Sequence, residues 1–452
     1  MPLSSLLLWT ALAAPPLVVP PMAGGIAINE PDQDRFARFV AGAGLDTVQV
    51  TLYAEQGDWD SADLDYTMAV FRDLPALDRE VAAARAQGLQ TLMVLRTKLD
   101  HARPRNRHLW HGMIWPDDAA LDDWFARYRA FILWGADRAA EMGVDVLLIG
   151  HELNSLTATA PTSTLPSLYG WHLDPDRTEP VLARRAGCAG QQGDREDEVR
   201  AFLEAEDAVR RRWTSRVTGL LPRRGGVGPA MPPALAARRA RYEAFWRQLI
   251  IAVRQRFPGP IGYGANYDQF AEVGFWDALD LIAVTSYFPL STLGTSDAAL
   301  DARLEAGWRA AIAQIEAVAQ KVDRPVLFHE LGWHGQLGST VRPYAYAGVD
   351  PIETGDPTNP TLTCVRWSAQ PEAPGERLRA LAALIKLVEG GDFPALRGFS
   401  LWKITTEPEQ RQYEPFAVVL PPPYVNRDAD HGFVLLAQRL AGAIAAQAWS
   451  LR

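Results

Sequence analysis

The sequence predicts a parallel (β/α)8 barrel with long insertions on its C-terminal face, and three observations carry that expectation. Short apolar, β-branched runs alternate with longer stretches of helical periodicity along almost the whole chain. There are eight such runs, the number at which βα units close into a barrel. The tripeptide His-Glu-Leu occurs twice, as His151-Glu152-Leu153 and His329-Glu330-Leu331, each copy directly after an apolar run, so two carboxylates are delivered by two strand ends. An open doubly wound sheet has less support, because no G-x-G-x-x-G follows the first run.

In chain order, the candidate strands are Gly25–Asn29, Thr47–Tyr53, Gln90–Leu95, Val144–Gly150, Ile261–Ala265, Leu279–Ser286, Pro325–Phe328 and Arg397–Leu401. Between them, apolar residues at three- and four-residue spacing predict helices over Gln33–Ala43, Leu77–Gln87, Leu121–Met142, Arg239–Arg256, Ala298–Val322, Arg377–Glu389 and Gly432–Ala446, with a short one near Phe270–Leu279. Two connections far exceed the usual loop of about 2–6 residues. One runs from about 155 to 237, the other from about 334 to 375, and both leave from the C-terminal face, where insertions shape substrate sites. In the first, Arg184, Arg185, Arg210, Arg211, Arg212, Arg216, Arg223 and Arg224 are interleaved with acids, which reads as a solvated surface helix rather than an anion site.

With 452 residues, 48% hydrophobic and 22% charged, the chain is globular and long enough for one large domain. We expect a single barrel over 25–452, preceded over 1–24 by a signal segment or an N-terminal arm. The stretch Leu6 to Val19 with Ala11-Leu12-Ala13 resembles a secretory signal, which points to a secreted or periplasmic protein and leaves the cytoplasm open. The Pro pairs Pro15-Pro16 and Pro20-Pro21 rule against a membrane span. A net charge of -9 gives no reason to expect nucleic acid or an anionic membrane as partner, so a neutral substrate fits better. We expect that substrate to be an oligo- or polysaccharide and the protein to be a monomer. Fifteen Trp, twelve Tyr and sixteen Phe suit the apolar faces of sugar rings, although most aromatics fill core. Cys188 and Cys364 fall in the two irregular excursions, where they form one disulfide or stay as two thiols.

Paired Glu152 and Glu330 at opposite sides of a barrel rim are the equipment for glycosidic cleavage: one protonates the leaving oxygen while the other, about 5–5.5 Å away in a retaining enzyme, attacks the anomeric carbon. A metal held by His151, Glu152, His329 and Glu330 is the competitor. Alternation along a strand opposes it, since neighbouring residues should point to opposite sides. The run His329-Glu330-Leu331-Gly332-Trp333-His334 also departs from H-E-x-x-H. No metal and no cofactor are expected. A G-x-S-x-G elbow and a P-loop are both missing from the sequence.

Several longer segments resemble glycoside hydrolase family 113, the clan A (β/α)8 barrels acting as β-1,4-mannanases. The stretch "LMVLRTKLD", then "LWHGMIWPDD", then "WFARYRAFILWGADRAAEMGVDVLLIGHEL" follows the family's order, and "IGYGANYDQFAEVGFWDALDLIAVTSYFPL", "RPVLFHELGW" and "GFSLWKITTEP" continue it to about Pro408, leaving the two excursions uncovered. The resemblance implies that Glu152 is the acid/base and Glu330 the nucleophile of a retaining mechanism. Tyr287 resembles the clan tyrosine that hydrogen-bonds the nucleophile, and Trp402 the eighth-strand aromatic that floors the subsite of cleavage. Trp110, Asn266 and Tyr267 are further candidates for sugar contacts. His151 stands where clan A enzymes commonly carry Asn, a substitution similar to family 26 mannanases.

Lys98 and Thr97 make an unconventional third-strand ending. The implied activity is hydrolysis of β-mannosides, with burial and the neighbouring carboxylate keeping Glu152 protonated. The fourth-strand insertion raises the alternative of exo action, or of a covered site; transglycosylation on, or hydrolysis of, another β-glycan is a separate alternative. A carbohydrate-binding barrel that hydrolyses nothing is the alternative from a different class.

Overall fold

The computed structural model describes residues 16–28, 30–106, 109–157, 181–184, 208–209, 213, 233–292, 295–344, 349–353, 363–368, 372–412, 414–421 and 430–450. Eight parallel strands close on themselves: β1 Met22–Ala27, β2 Thr47–Gln56, β3 Gln90–Leu99, β4 Val146–His151, β5 Ile261–Asn266, β6 Leu281–Thr285, β7 Val326–Leu331 and β8 Leu396–Thr405. Neighbours pair in sequence order, and β1 bonds both β2 and β8 to shut the ring. Among the described residues, seven helices of ten residues or more wrap it: α1 Gln33–Gly42, α2 Leu74–Ala86, α3 Leu121–Met142, α4 Pro233–Arg254, α5 Asp297–Val322, α6 Pro374–Glu389 and α7 His431–Ser450. The expected (β/α)8 barrel is therefore the fold.

Period-two alternation sorts the strand residues into two cores. Leu92 and Val94 of β3, Val146 and Leu148 of β4, Leu281 and Ala283 of β6 and Leu327 of β7 meet inside the ring with Met22 and Val19. Their neighbours, including Met93, Leu147, Ile282, Val326 and Phe328, face the helices in the larger core. Above the apolar floor the same inward rows turn polar or aromatic, reaching Arg96 on β3, Thr285 at the end of β6 and Tyr287 just beyond it. That change of chemistry marks the C-terminal end as the working face.

Closure requires glycine where β1 meets its neighbours. A Cβ on Gly24 would lie 1.9 Å from the Thr47 carbonyl oxygen, and one on Gly398 would lie 2.4 Å from that of Met22. These glycines conceal a strand from a reader of apolar runs, which explains why β1 starts at Met22, three residues before the expected Gly25. Three helices likewise begin earlier than expected, at Leu74, Pro233 and Pro374, because proline sits without cost in a first helical turn. The expected helix near Phe270–Leu279 is instead two 3-10 turns, Phe270–Glu272 and Trp276–Ala278, with Gly274 between them.

The two excursions meet. Val349–Glu353 and Thr363–Ser368 from the second form an antiparallel sheet with Val181–Arg184 from the first, in register Trp367 opposite Leu182. Cys364 therefore belongs to a strand, opposite Ile352, rather than to an irregular segment. Cys188 and the arginines from Arg185 to Arg224 lie outside the described residues, and Arg184 ends the strand Val181–Arg184. From the same excursion, Trp213 is buried against the barrel, its indole donating to the Met113 carbonyl at 2.9 Å and its ring lying 6.4 Å from Trp59.

Candidate active site

Glu152 follows β4 with φ +45°, the left-handed region that a non-glycine residue seldom adopts. Its N–H donates to Gly264 O on β5 at 2.7 Å, which holds the turn in place. The twist breaks strand alternation and brings Glu152 to the same side as His151, so that His151 Nδ1 lies 3.7 Å from Glu152 Oε2. Glu330 comes from within β7, which runs on past the expected Phe328 to Leu331.

Both carboxylates are nearly sealed from solvent, Glu152 at 7% and Glu330 at 2% exposure. Each has a separate set of donors. Glu152 Oε1 accepts from Thr285 Oγ1 at 2.7 Å, and Oε2 meets His111 Nε2 at 3.1 Å. Glu330 Oε2 accepts from the Tyr287 hydroxyl at 3.0 Å, while Oε1 meets His151 Nε2 at 2.8 Å and Arg96 Nη1 at 3.3 Å. The other guanidinium nitrogen, Nη2, lies 4.0 Å from Glu152 Oε2. One imidazole and one guanidinium thus link the two acids across a narrow gap.

The floor is aromatic. Ile26, Tyr287, Trp402 and Phe416 form one buried cluster, with Tyr267 and Tyr344 packed against it. Arg96 lies 5.5 Å from the centre of the Trp402 ring and Lys403 Nζ 4.2 Å from it. Tyr267 stacks on Tyr344 of the second excursion, their rings 3° from parallel and 5.8 Å apart. Asn266, at the end of β5, is buried, and its Oδ1 has no hydrogen-bond partner among the described residues. A buried orphan acceptor of this kind suits a ligand hydroxyl. Trp110 is half-buried and meets His111 edge-on at 4.9 Å, so its first contact is the histidine. Lys98 pairs with Glu55 of β2 at 2.7 Å and is half exposed.

Charge in the site is set by burial first. It drives His151 well below its ordinary value, assisted by Arg96, and lowers His329 to about 4, so both rings are neutral near pH 7. Burial opposes the charge of Arg96, but Glu330, Tyr53 and Glu152 hold the guanidinium protonated. Burial also pushes Glu152 up, as does Glu330, yet the imidazoles of His151 and His111 pull it down and win. His151 is itself neutral near pH 7, so its pull is confined to acid solution; the hydrogen bonds from His111 and Thr285 and the nearby Arg96 persist. Glu152 is accordingly a carboxylate below the usual range, not the protonated acid expected from burial and a negative neighbour.

Donor atoms of His111, His151 and Glu152, and of His151, His329 and Glu330, lie within 4.8 Å of one another. Strand alternation therefore does not separate the pairs: at His151 and Glu152 the left-handed turn breaks it, and at His329 and Glu330 a register shift of β7 against β6, between Leu327 and Glu330, does the same. What disfavours a cation here is Arg96, whose own positive charge already bridges the carboxylates.

The structure gathers Glu152, Glu330, His151, Tyr287 and Trp402 into one site and sets Asn266 and Tyr267 beside it. Three participants went unread in the sequence. Arg96 and Thr285 carried a signal: each is the first polar residue of an inward row, two positions beyond Val94 and Ala283. His111 carried none, because it comes from a turn between β3 and α3.

Two opposed, buried carboxylates above an aromatic floor suit the cleavage of a glycosidic bond, and comparison with known proteins gives the arrangement its class: the chain is a glycoside hydrolase. Residues 235–357 match the family model described as Glycoside Hydrolase Family 113, a span that holds Glu330, Tyr287, Asn266 and Tyr267 but not Glu152. The family resemblance seen in the sequence is thus borne out. No curated protein matches the chain. Among solved structures, the GH113 β-mannanase AaManA from Alicyclobacillus acidocaldarius, in complex with ManMIm, is 16% identical with a TM-score of 0.55, covering 95% of this chain and 98% of that one. A GH113 β-1,4-mannanase in a complex structure is 15% identical with a TM-score of 0.56, covering 94% and 99%. At such identities the likeness speaks for the fold.

Proposed function

We propose that the protein hydrolyses β-1,4-mannosidic bonds, or those of a related β-glycan, with retention of anomeric configuration. The observation that carries this reading is the division of donors between the two glutamates, one set for each role. Glu330, oriented by Tyr287, His151 and Arg96, attacks the anomeric carbon. Glu152 protonates the departing oxygen and then, as carboxylate, activates the water that releases the sugar. Since Glu152 is ionised before substrate binds, it gains its proton when substrate displaces water and deepens its burial, which raises a carboxyl. Trp402 supplies the apolar platform, and Asn266 Oδ1 an acceptor for a sugar hydroxyl. The family match and the β-mannanase activity of the two structural relatives favour mannan over other β-glycans.

Export fits the same reading. Cleavage after Ala13 would leave Leu17, whose N–H donates to Asp280, and Val19, which plugs the barrel floor.

The test is incubation of wild type, Glu152→Gln and Glu330→Gln with β-1,4-mannan, mannooligosaccharides and a panel of other β-glycans, with products resolved by size. Wild type releases mannooligosaccharides, and both variants lose at least about a hundredfold in rate. Release of mannose alone would mark an exo enzyme. Undiminished turnover by either variant would overturn the assignment of roles, and sugar binding without products would make the barrel a binder.

A further inference from the structure

His111 stands apart from the residues that the fold delivers by strand ends. It opens the 3-10 turn His111–Met113, and this turn is clamped from three sides. Ser155 Oγ, in the helical turn just after Glu152, donates to Gly112 O at 2.8 Å; the Trp213 indole of the fourth-strand insertion donates to Met113 O; and Trp115 N donates to Trp59 O at 2.8 Å. Gly112 packs closely under the Trp110 ring, which a Cβ there would meet at 2.5 Å. The clamped turn aims the imidazole at a single oxygen, Glu152 Oε2, 3.1 Å away.

We propose that His111 is a positioning residue for the acid/base: it fixes the Glu152 carboxyl against the scissile oxygen and, by donating to Oε2, favours the carboxylate that the second step needs. This inference rests on the glycosidase roles assigned above. Thr285 holds the other oxygen, Oε1, so His111 is the partner of the oxygen left for proton transfer. The titratable and charged groups around the ring are Glu152 and His151 from the end of β4, Arg96 from β3 and Glu330 from β7. Burial and Arg96 keep the imidazole neutral against the pull of Glu152, so it acts as a hydrogen-bond donor rather than as a cation. The fourth-strand insertion gains a role by the same route: through Trp213 it supports the turn that reaches the acid/base.

The experiment compares wild type with His111→Ala and His111→Gln on two substrates, mannotriose and 2,4-dinitrophenyl β-mannoside, whose leaving group departs without protonation. For His111→Ala, kcat/KM on mannotriose falls about tenfold or more, the basic limb of its pH profile moves to higher pH as the carboxylate loses a donor, and kcat/KM on the aryl mannoside changes less than about twofold, in keeping with its independence of acid catalysis. His111→Gln, which can donate from its amide, recovers part of the loss. Equal losses on both substrates with an unmoved limb would overturn the proposal and leave His111 a structural residue.

A second readout needs no turnover. Glutamate labelled with 13C at Cδ reports the titration of Glu152, assigned by difference from Glu152→Gln, and in His111→Ala its midpoint rises. An unchanged midpoint would sink the proposal even in an active enzyme. Wild type inert on both mannosides, with a midpoint that still responds to His111, would instead place the failure in the glycosidase reading of the substrate.

Discussion

Tyr287 places its hydroxyl 3.0 Å from Glu330 Oε2, and Thr285 places its own 2.7 Å from Glu152 Oε1. The two residues lie on one inward row of β6 and continue beyond it, so a single strand serves both acids. Tyr287→Phe keeps the ring against Phe416 and removes only the hydroxyl; kcat is expected to fall about ten- to a hundredfold with the melting temperature nearly unchanged. Thr285→Val keeps the shape and removes the donor to Glu152, so its loss should be larger for poor leaving groups than for good ones. Steady-state kinetics on paired substrates check both, and a loss independent of the leaving group would contradict the role given to Thr285. At this scale the sequence was legible at some strand ends and not at others, since Arg96, toward the end of β3, and Thr285, at the end of β6, were missed. His-Glu-Leu twice, Tyr287 and Trp402 were visible as such, whereas His111 reaches Glu152 from a turn 41 positions away, a distance only the fold closes.

At the scale of elements, the barrel seam depends on the smallness of β1 and β8. Gly24→Ala would set a methyl into the Thr47 carbonyl, a backbone atom that cannot swing aside, so the variant should lose about 3 kcal/mol or more, or fail to fold. Gly42→Ala is the control, since a Cβ there meets nothing within 4 Å and should be neutral or mildly stabilising. Chemical denaturation of the two variants decides this, and equal stability would show that the seam relaxes. The seam also explains what the sequence concealed. Strands of Val, Leu and Ile were readable by their apolar runs, but Met22–Ala27 is small and glycine-rich because two neighbours approach its backbone. Helices were readable by periodicity and misjudged where proline opens a first turn and over Phe270–Leu279, which forms two 3-10 turns about Gly274.

For the whole molecule, pH acts through imidazoles that are buried neutral. Burial lowers His329 to about 4 and His334 to about 3, below the usual value near 6.5. Between those limits the unfolded chain binds protons that the folded one refuses, so stability is full above about pH 7 and falls as pH drops from about 6.5 toward 4. His329 alone contributes of the order of 3 kcal/mol to that fall. The pH dependence of unfolding, compared with that of a His329→Asn variant, checks the sign: the variant should show the shallower slope. A barrel more stable at pH 4.5 than at pH 7 would contradict it. The long excursions were legible as excursions from their length, but their pairing into one antiparallel sheet was not, since register between strands far apart in sequence leaves no local mark.

The most direct test of the central claim is to trap the intermediate. Incubation with 2-deoxy-2-fluoro-β-mannosyl fluoride followed by peptide mass spectrometry should find one fluoromannosyl group on the peptide carrying Glu330, with label lost in Glu330→Gln. Label on Glu152 or elsewhere, or turnover of β-mannosides that inverts the anomeric centre with no adduct, would contradict the account.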